Sequence, residues 1–314
     1  MRKYNFRNLK NQKALLISLI LIFIISLGIT IAEHFGSLTW KSVNKTLGIS
    51  DFSSMADNFD MSVHFIDVGK ADSIYIKCKD KNILIDAGEK STSNLVNEYL
   101  KKQNVKKLDL VIATHPHSDH IGGMPKIIEE FEISKFIMPE LTINDISTSR
   151  SYEKLLKALK KKNLNADLPS PGSEFKLGEL SIQTFAPIKQ YENINNNSVV
   201  VKIIYKNKSF LFTGDAEKES ETDMINSGAN LSADVLKVGH HGSKTSTNSA
   251  FLNHINPDYA VICVGEDRYN LPKKATIDRL KNKNIKVFRT DIHGTVILAT
   301  DGDKITAFTE KEGA

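Results

Sequence analysis

The feature that most constrains this chain is a segment with three histidines and one aspartate within six residues, at positions 115–120. The segment follows an apolar run at residues 108–113. Imidazole and carboxylate groups are the ligands that Zn²⁺ and similar divalent ions take. His115 and His117 are two residues apart, so an extended chain points both to one side, and Pro116 between them suits a rigid loop. The segment predicts a metal site, and a solvated histidine-rich loop is the less favoured interpretation.

Two later apolar runs also end in ligand-type residues. The run 209–213 precedes Asp215, and the run 235–238 precedes the pair His240 and His241. Taken alone, an aspartate after a glycine is usually a turn residue, and a histidine pair is often a surface feature. Together with the first histidine segment, both predict metal ligands. A carboxylate such as Asp215 can bridge two cations, and two ions about 3.5–4 Å apart can clamp an in-line displacement and produce hydroxide near neutral pH.

Asp86 ends another strand-like run, at residues 82–85. A carboxylate at the end of a strand can reach a site that is built from loops. It can equally cap a helix or stabilise a turn. The residue by itself leaves both interpretations open.

The order of the predicted elements indicates the fold class. Clusters of strand-like runs, each followed by strands that alternate with helical segments, occur twice, and amphipathic runs at 93–103 and 152–162 predict helices. This pattern predicts an α/β protein with two mixed sheets face to face and helices outside both, a four-layer αββα sandwich. Cys78 and Cys263 lie in apolar runs and are predicted to be core thiols.

The N-terminal region reads as a membrane anchor. Residues 14–32 contain 19 consecutive positions without a charge, after five basic side chains in residues 1–13. At 1.5 Å per residue this run matches a bilayer core, which predicts a transmembrane helix after a cytoplasmic basic segment. A cleaved signal peptide is the alternative, although its apolar region is usually about 7–15 residues. We therefore predict a single-pass anchor at the cell membrane, a linker at 33–60 and an extracellular domain at 61–314, which is secreted if the leader is cleaved.

The charge of the remaining chain is balanced. Five of the 42 basic residues precede the apolar run, so the other 37 face 37 acidic residues. A neutral body weakens the prediction of a broad electrostatic surface for nucleic acid.

The ligand residues and the segments around them resemble the metallo-beta-lactamase superfamily. More narrowly, they resemble the C-terminal hydrolase domain of ComEC-type DNA-uptake competence proteins. The similar segments are VHFIDVG at 63–69, ADS at 71–73, LIDAG at 84–88, THPHSDHIGG at 114–123, Asn197 with Ser198, and LKVGHHGS at 236–243. The resemblance covers about Ser62 to Phe308, and it implies an αββα sandwich, a divalent-metal site and phosphodiester hydrolysis on DNA.

Two departures from that resemblance bear on the site. Lys70 and Ala71 stand where these proteins usually have Gln-Gly, so a contact with the substrate is expected to differ. The superfamily's additional histidine ligand has no counterpart, and the stretch 195–198 (NNNS) takes its place. Amide and hydroxyl oxygens suit Mn²⁺ or Mg²⁺ better than zinc. The first metal position is therefore expected to be weaker, or filled by manganese.

The chain also resembles secreted phosphorylcholine esterases of the same superfamily. They carry a similar Ala-Asp segment, an asparagine-rich stretch and a His-His-Gly. By this resemblance His241 is the metal ligand, and His240 faces the phosphate of the substrate.

The resemblance implies a role for each candidate residue. His115 and His117 bind the first ion, Asp119, His120 and His241 bind the second, and Asp215 bridges the two. Asp86 orients a ligand imidazole, because a ligating histidine usually donates its other N–H to a carboxylate. Asp119 and His240 are the predicted catalytic residues, with Asp119 as the base that holds the attacking water. The predicted substrate-binding residues are Asn197, Ser198, Ser243 and Thr245.

The predicted function is that of a membrane-anchored, extracellular, metal-dependent hydrolase. It is expected to use two divalent ions, zinc or alternatively manganese, and a metal-activated hydroxide to act as a phosphodiesterase or nuclease on DNA. A phosphorylcholine esterase or another surface phosphodiesterase is the alternative enzyme, and a catalytically silent binding module is the alternative of a different class. The expected partners are the phosphodiester substrate and the membrane, and no protein partner is indicated.

Overall fold

The structure is a computed structural model that describes residues 15–16, 18–20, 22–24, 26–28, 30, 52–140, 150–266 and 268–313. The chain divides into two compact units, Met1–Met55 and Ala56–Ala314. All of the predicted site residues belong to the second unit.

The structure does not support the predicted transmembrane helix at residues 14–32. The positions described between residues 15 and 30 are helical. However, no helix in the described part of the chain has the length and hydropathy that a membrane span requires. The predicted cytoplasmic segment 1–13 and residues 33–51 of the predicted linker lie outside the described residues.

The second unit contains 17 described strands. Their bounds are β1 Met61–Phe65, β2 Ser73–Cys78, β3 Lys81–Ala87, β4 Lys107–Leu108, β5 Leu110–Ile112, β6 Glu132–Ile133, β7 Phe136–Ile137, β8 Ala166–Asp167, β9 Glu174–Leu177, β10 Leu180–Ala186, β11 Val200–Tyr205, β12 Lys208–Phe212, β13 Val235–Lys237, β14 Tyr259–Ile262, β15 Lys286–Arg289, β16 Val296–Thr300 and β17 Ile305–Thr309.

Helices connect these strands. The α-helices are α1 Ser93–Lys102, α2 Ser118–Ile121, α3 Met124–Glu130, α4 Arg150–Lys161, α5 Lys218–Asn226, α6 Ser249–Ile255, α7 Lys274–Lys281 and α8 Thr290–His293. Short 3₁₀ helices lie at Phe52–Ser54, Lys90–Thr92, Ile194–Asn197 and Gly239–Gly242. The helices predicted at 93–103 and 152–162 correspond to α1 and α4.

The strands form two large mixed sheets and one small one. The first sheet has the order β17-β16-β1-β2-β3-β5-β7-β8, the second has the order β15-β14-β13-β12-β11-β10-β9, and β4 pairs with β6. Each large sheet has an antiparallel part and a parallel part. The parallel part runs from β3 to β8 in the first sheet and from β12 to β15 in the second.

Alternation along the strands builds the core between the two sheets. Side chains of a strand point to opposite faces in turn. In β3, Ile83 and Ile85 therefore join the core between the sheets, whereas Leu84 faces outward. In β12, Phe210 and Phe212 point inward in the same way. Burying one such side chain stabilises the fold by about 1.5–3 kcal/mol.

Helices cover the outer face of each sheet. On the first sheet, α4 buries Leu155 and Leu159, which lie four residues apart and so share one helix face. On the second sheet, α5, α6 and α7 contribute Met224, Phe251 and Leu280 to the outer core. The predicted four-layer αββα sandwich is confirmed.

The fold brings the ligand-bearing strand ends together. Asp86 lies at the end of β3, and the histidine segment follows β5, which is its parallel neighbour. Asp215 follows β12, and the pair His240 and His241 follows the parallel neighbour β13. Because parallel neighbours end at the same edge of a sheet, each sheet presents its ligands at one edge.

Candidate metal centre

The histidine segment is part loop and part helix. His115 and Pro116 form a buried loop after β5, and α2 begins at Ser118 directly after the extended residue His117. The predicted rigid loop therefore holds only for its first half. Asp119 and His120 lie on the single turn of α2, which turns them toward the residues after β12 and β13.

Asp215 is the centre of the ligand cluster. Four imidazole nitrogens lie around its Oδ2 atom: Nε2 of His120 at 3.4 Å, of His241 at 3.6 Å, of His115 at 3.8 Å and of His240 at 3.9 Å. Asp215, His115 and His120 are buried. Groups from the two sheets therefore meet at one carboxylate, which is the arrangement that a bridging ligand requires.

Among the described residues, the candidate ligands form three overlapping groups. The first consists of His115, His120 and Asp215, the second of Asp119, His120 and His241, and the third of Asp72, Asp86 and His120; within each group the ligand atoms lie within 4.8 Å of one another. Nε2 of His241 is 3.6 Å from Oδ2 of Asp119. The second group is the one predicted for the second ion.

His117 lies beside the first group rather than within it. Its Nδ1 atom is 3.0 Å from Nε2 of His115, and its side chain is partly exposed. His117 thus lies next to His115, with which it was predicted to bind the first ion. His120 and Asp215 also have ligand atoms close to that of His115.

The pair His240 and His241 has an unusual backbone conformation. His240 and His241 have φ angles of +48° and +50°, and Gly242 follows at +80°. Non-glycine residues rarely adopt this left-handed conformation, and such strain is found at functional sites. The turn buries His241 against the centre and leaves the side chain of His240 28% exposed.

Asp86 holds His120 in place. Its Oδ1 accepts a hydrogen bond from the backbone N–H of Thr114 (2.8 Å), and its Oδ2 accepts from the Thr114 hydroxyl (2.6 Å). Nδ1 of His120 lies 2.8 Å from the same Oδ2. A carboxylate only accepts hydrogen bonds, so Nδ1 carries a hydrogen and Nε2 is the ring nitrogen that faces the centre. This geometry is what the predicted orienting role of Asp86 requires.

The electrostatics of the cluster favour a cation. Burial opposes charge on His241, but the carboxylates of Asp215 and Asp72 outweigh it and raise the pKa of this imidazole to about 10. Burial likewise opposes charge on His120, and Asp215 and Asp86 hold its pKa well above the usual range. Burial and the neighbouring His120 keep the pKa of His115 well below its ordinary value. The carboxylates that attract protons here attract a divalent ion for the same reason.

Several buried ligand atoms have no hydrogen-bond partner among the described residues. They are Nε2 of His120, Nε2 of His241 and Oδ1 of Asp215. A buried polar atom without a partner costs about 1–3 kcal/mol. Imidazole nitrogens and carboxylate oxygens that converge without partners therefore fit divalent ions such as Zn²⁺ or Mn²⁺.

The pattern of residues that builds this centre is that of a known family. The family model described as the metallo-beta-lactamase superfamily matches residues 66–266, which is more than half of the chain. The chain belongs to the metallo-beta-lactamase superfamily.

Curated relatives within this superfamily include competence proteins. The chain is 30% identical over 254 residues to ComE operon protein 3 of Bacillus subtilis, a match that covers 74% of this chain and 32% of that protein. It is 27% identical over 235 residues to competence protein ComA of Neisseria gonorrhoeae, which covers 73% of this chain and 31% of that protein. The predicted resemblance to competence proteins is confirmed. The chain spans about a third of the length of these relatives.

Solved structures share the fold at low sequence identity. The metallo-beta-lactamase fold protein YhfI from Bacillus subtilis aligns with a TM-score of 0.50 and 14% identity, over 73% of this chain and 95% of that one. CmlA, a diiron beta-hydroxylase from Streptomyces venezuelae, aligns with a TM-score of 0.54 and 12% identity, over 84% of this chain and 60% of that one.

In this metallo-beta-lactamase superfamily member, the side chains of Asn197 and Ser198 bind other parts of the protein. Asn197 is fully buried, and its amide accepts from the N–H of Tyr191 and donates to the carbonyl of the same residue. Ser198 is also buried, and its Oγ accepts from the N–H of Asp215 at 3.0 Å. Asn197 thus supports the loop at Tyr191, and Ser198 supports the turn that carries Asp215. Their role in substrate binding stays a prediction.

The other predicted substrate contacts, His240, Ser243 and Thr245, are at least partly exposed. Nδ1 of His240 is 2.9 Å from Oε1 of Glu217, which leaves Nε2 on the side of Asp215. The hydroxyls of Ser243 and Thr245 are 2.9 Å apart, and Thr245 is exposed. These three residues can contact a substrate, and that role stays a prediction.

Sequence analysis missed two buried charges, Asp72 and Lys237. Lys237 is the last residue of β13, and its ammonium contacts the carboxylate of Asp72. Both are at most 1% exposed. A lysine at the end of an apolar strand is a signal in itself, because buried charges need partners.

Among the described residues, His64, His254 and both cysteines lie outside the candidate ligand groups. His64 is buried between Ser62 and Tyr99, and His254 is exposed on α6. Cys78 and Cys263 are free and buried, as predicted.

Proposed function

We propose that the protein is a two-metal phosphodiesterase that cleaves nucleic acid, with DNA as the first candidate and Zn²⁺ or Mn²⁺ as the ions. The observation that carries the proposal is the convergence of His115, His120 and His241 on Oδ2 of Asp215, with Asp119 beside them. The similarity to competence proteins supports nucleic acid as the substrate class.

A pocket beside the centre supports an anionic substrate. Its volume is about 710 Å³, within the usual range for a ligand site, and it borders both His117 and Asp119. Lys70 and Arg268 line it and can supply positive charge for phosphates, although Lys70 is paired with Glu89 at 3.3 Å and Glu266 lines the same pocket. Tyr269 adds an aromatic ring on which a base can stack. Lys70 stands at the position where the competence relatives were expected to have glutamine.

The chain's own residues have separable tasks in this reaction. When bound, the two ions supply Lewis-acid stabilisation of the phosphodiester and activation of water. Asp119, whose side chain is 29% exposed, is placed to accept the proton of the attacking water. His240 presents Nε2 toward the phosphate while Glu217 fixes its Nδ1. The buried residues Asp86, Thr114 and Ser198 keep the ligands in position.

A phosphorylcholine esterase is the second candidate, and the same pocket gives it some support. Tyr269, Glu266 and Glu89 line the pocket, and an aromatic ring with carboxylates suits a quaternary ammonium. Lys70 and Arg268 in that pocket repel such a group, however. For this reason nucleic acid is the first candidate.

Metal content and a generic substrate test whether the centre is catalytic. The purified protein is expected to hold two divalent ions per chain and to hydrolyse bis-p-nitrophenyl phosphate with Zn²⁺ or Mn²⁺. His120→Ala should lose metal and fall to the background rate, because His120 belongs to all three ligand groups. His254→Ala, on the exposed face of α6, is the matched control and should keep both properties. No turnover with either metal, and no effect of His120→Ala, would favour a silent binding module.

A second assay separates the two enzyme candidates. Single-stranded DNA and p-nitrophenylphosphorylcholine are compared at equal metal loading. Preferential cleavage of DNA supports the proposal, and preferential cleavage of the choline ester supports the second candidate. The extracellular location of the domain stays a prediction, which protease accessibility on intact cells tests.

A further inference from the structure

Lys237 and Asp72 form a buried ion pair at the edge of the metal centre. The Lys237 ammonium contacts Oδ2 of Asp72, donates to the carbonyl of Gly214 at 3.1 Å and lies 3.9 Å from Oδ1 of Asp215. The lysine side chain has no exposed surface. Its partners in this structure are thus the acid Asp72 and the turn that carries Asp215.

Strand alternation explains why this lysine points inward. In β13, Val235 belongs to the core between the sheets and Leu236 to the outer core. Lys237, two residues after Val235, therefore points to the inner face. An apolar residue of similar volume often replaces a buried ion pair without loss of stability. A task at the metal centre explains the pair better than stability does.

Asp72 connects the loops that carry the candidate metal ligands. Its backbone N–H donates to the carbonyl of Asp119 at 3.1 Å, and its carbonyl accepts from the N–H of Gly88 at 2.8 Å. Its Oδ1 is 3.4 Å from Nδ1 of His241, and its Oδ2 is 3.8 Å from Nδ1 of His120. Since Lys237 also binds the Asp215 turn, the pair contacts four segments of the centre: the end of β3, the histidine segment, the Asp215 turn and the His241 turn.

Lys237 is not suited to hold a metal ion, because an ammonium repels a cation. Asp72 lies within ligand distance of Asp86 and His120, but its Oδ2 contacts the Lys237 ammonium and its carboxylate faces the Nδ1 atoms of His120 and His241. Nδ1 of His241 also donates to the carbonyl of Cys263 at 2.9 Å, so its Nε2 is the atom left for the centre. The contacts of Asp72 therefore fix the ligands from the side that faces away from the ions.

We propose that Lys237 and Asp72 are positioning residues that hold Asp215 and His241 in the geometry for divalent-ion binding. The inference rests on the proposed metal-dependent function. It assigns the two charges to the affinity and coordination of the ions, and to no contact with substrate.

The test measures the binding of Co²⁺ to the full chain, by calorimetry and by the visible absorption of the bound ion. The variants are Lys237→Met, Asp72→Asn and the double variant, which leaves no unpaired charge and guards against misfolding of the single variants. Lys202→Met is the matched control. Lys202 is also a buried lysine, but its ammonium donates to the carbonyls of Asn230 and Ser232, which are not part of the centre.

The double variant is expected to bind Co²⁺ about 10–100-fold more weakly than the unaltered protein and to change the absorption spectrum, as for other residues that orient metal ligands. Its thermal stability should exceed that of either single variant, because no charge is left buried alone. Lys202→Met should lose stability but keep the affinity and the spectrum. Unchanged affinity and spectrum in the double variant would overturn this inference and would leave the proposed function intact. If the unaltered protein bound no divalent ion, the proposed function itself would be overturned.

Discussion

Nδ1 of His120 lies 2.8 Å from Oδ2 of Asp86, and both side chains are fully buried. His120 belongs to all three candidate ligand groups, so this one contact bears on both proposed ions. The same carboxylate binds the N–H and the hydroxyl of Thr114, at the start of the histidine segment. Asp86 thus connects the end of β3 to the ligands that follow β5.

Asp86→Asn should weaken metal binding while leaving the protein folded. The amide is nearly the same size as the carboxylate but lacks its charge, so it holds the His120 N–H less strongly. We expect the affinity for Zn²⁺ to fall about 10–100-fold, measured by calorimetry. Asp109→Asn is the control, because Asp109 also accepts from a backbone N–H, that of Asn82, outside the centre. Equal affinities in both variants would contradict the orienting role.

Lys70→Gln and Arg268→Gln should raise KM for single-stranded DNA and leave kcat unchanged. Both cations line the pocket beside His117 and Asp119 and are expected to contact phosphates away from the bond that breaks. Each lost contact should reduce the salt dependence of binding by about 0.7 in the logarithmic slope. Hydrolysis of bis-p-nitrophenyl phosphate, which is too small to reach these contacts, should not change. Lys154→Gln, on the exposed side of α4, is the control, and an effect as large as that of Lys70→Gln would argue against a specific pocket.

His64 should make the metal-free protein less stable as the pH falls below about 6.5. Burial, together with nearby Lys77, lowers the pKa of its imidazole to about 3 in the folded state. The unfolded chain then binds the proton more readily, so the stability present above pH 6.5 is lost as the pH falls toward 3. Each unit of pKa difference corresponds to about 1.4 kcal/mol. Urea unfolding at pH 4.5, 5.5 and 7.5 should give a smaller loss for His64→Gln than for the unaltered protein, and parallel curves would refute the assignment.

Glu221 should produce the opposite dependence. Burial raises the pKa of its carboxyl to about 7, although the N–H groups of Asn248 and Thr247 and the charge of Arg279 oppose the shift. The folded state holds the proton more tightly than the unfolded state, so stability is lost as the pH rises from about 4.5 through 7. The part of the pH dependence of stability that Glu221 causes should be absent in Glu221→Gln. Thermal unfolding in the presence of a chelator measures it. A variant that keeps the slope of the unaltered protein would show that another group titrates.

Sequence analysis predicted the fold and most of the ligand cluster because both depend on local patterns. The spacing of His115, His117, Asp119 and His120 and the placement of Asp215 after an apolar strand are visible without coordinates. Alternation and amphipathic periodicity identify strands and helices, and their order indicates the four layers. The same local reasoning did not identify the hydrogen-bond partners of Asn197 and Ser198. Their residue types suggested contacts with a ligand, whereas their actual partners, Tyr191 and Asp215, are set by how two loops pack.

The sequence by itself therefore determined which chemical groups this protein can bring to a metal ion, and on which strand ends they lie. Only the tertiary structure decided that His240 stays partly exposed while His241 is buried, and that Lys237 meets Asp72. The physical reason is that burial and charge pairing depend on contacts between strands that are far apart in the chain. Residue type restricts those contacts but does not select them.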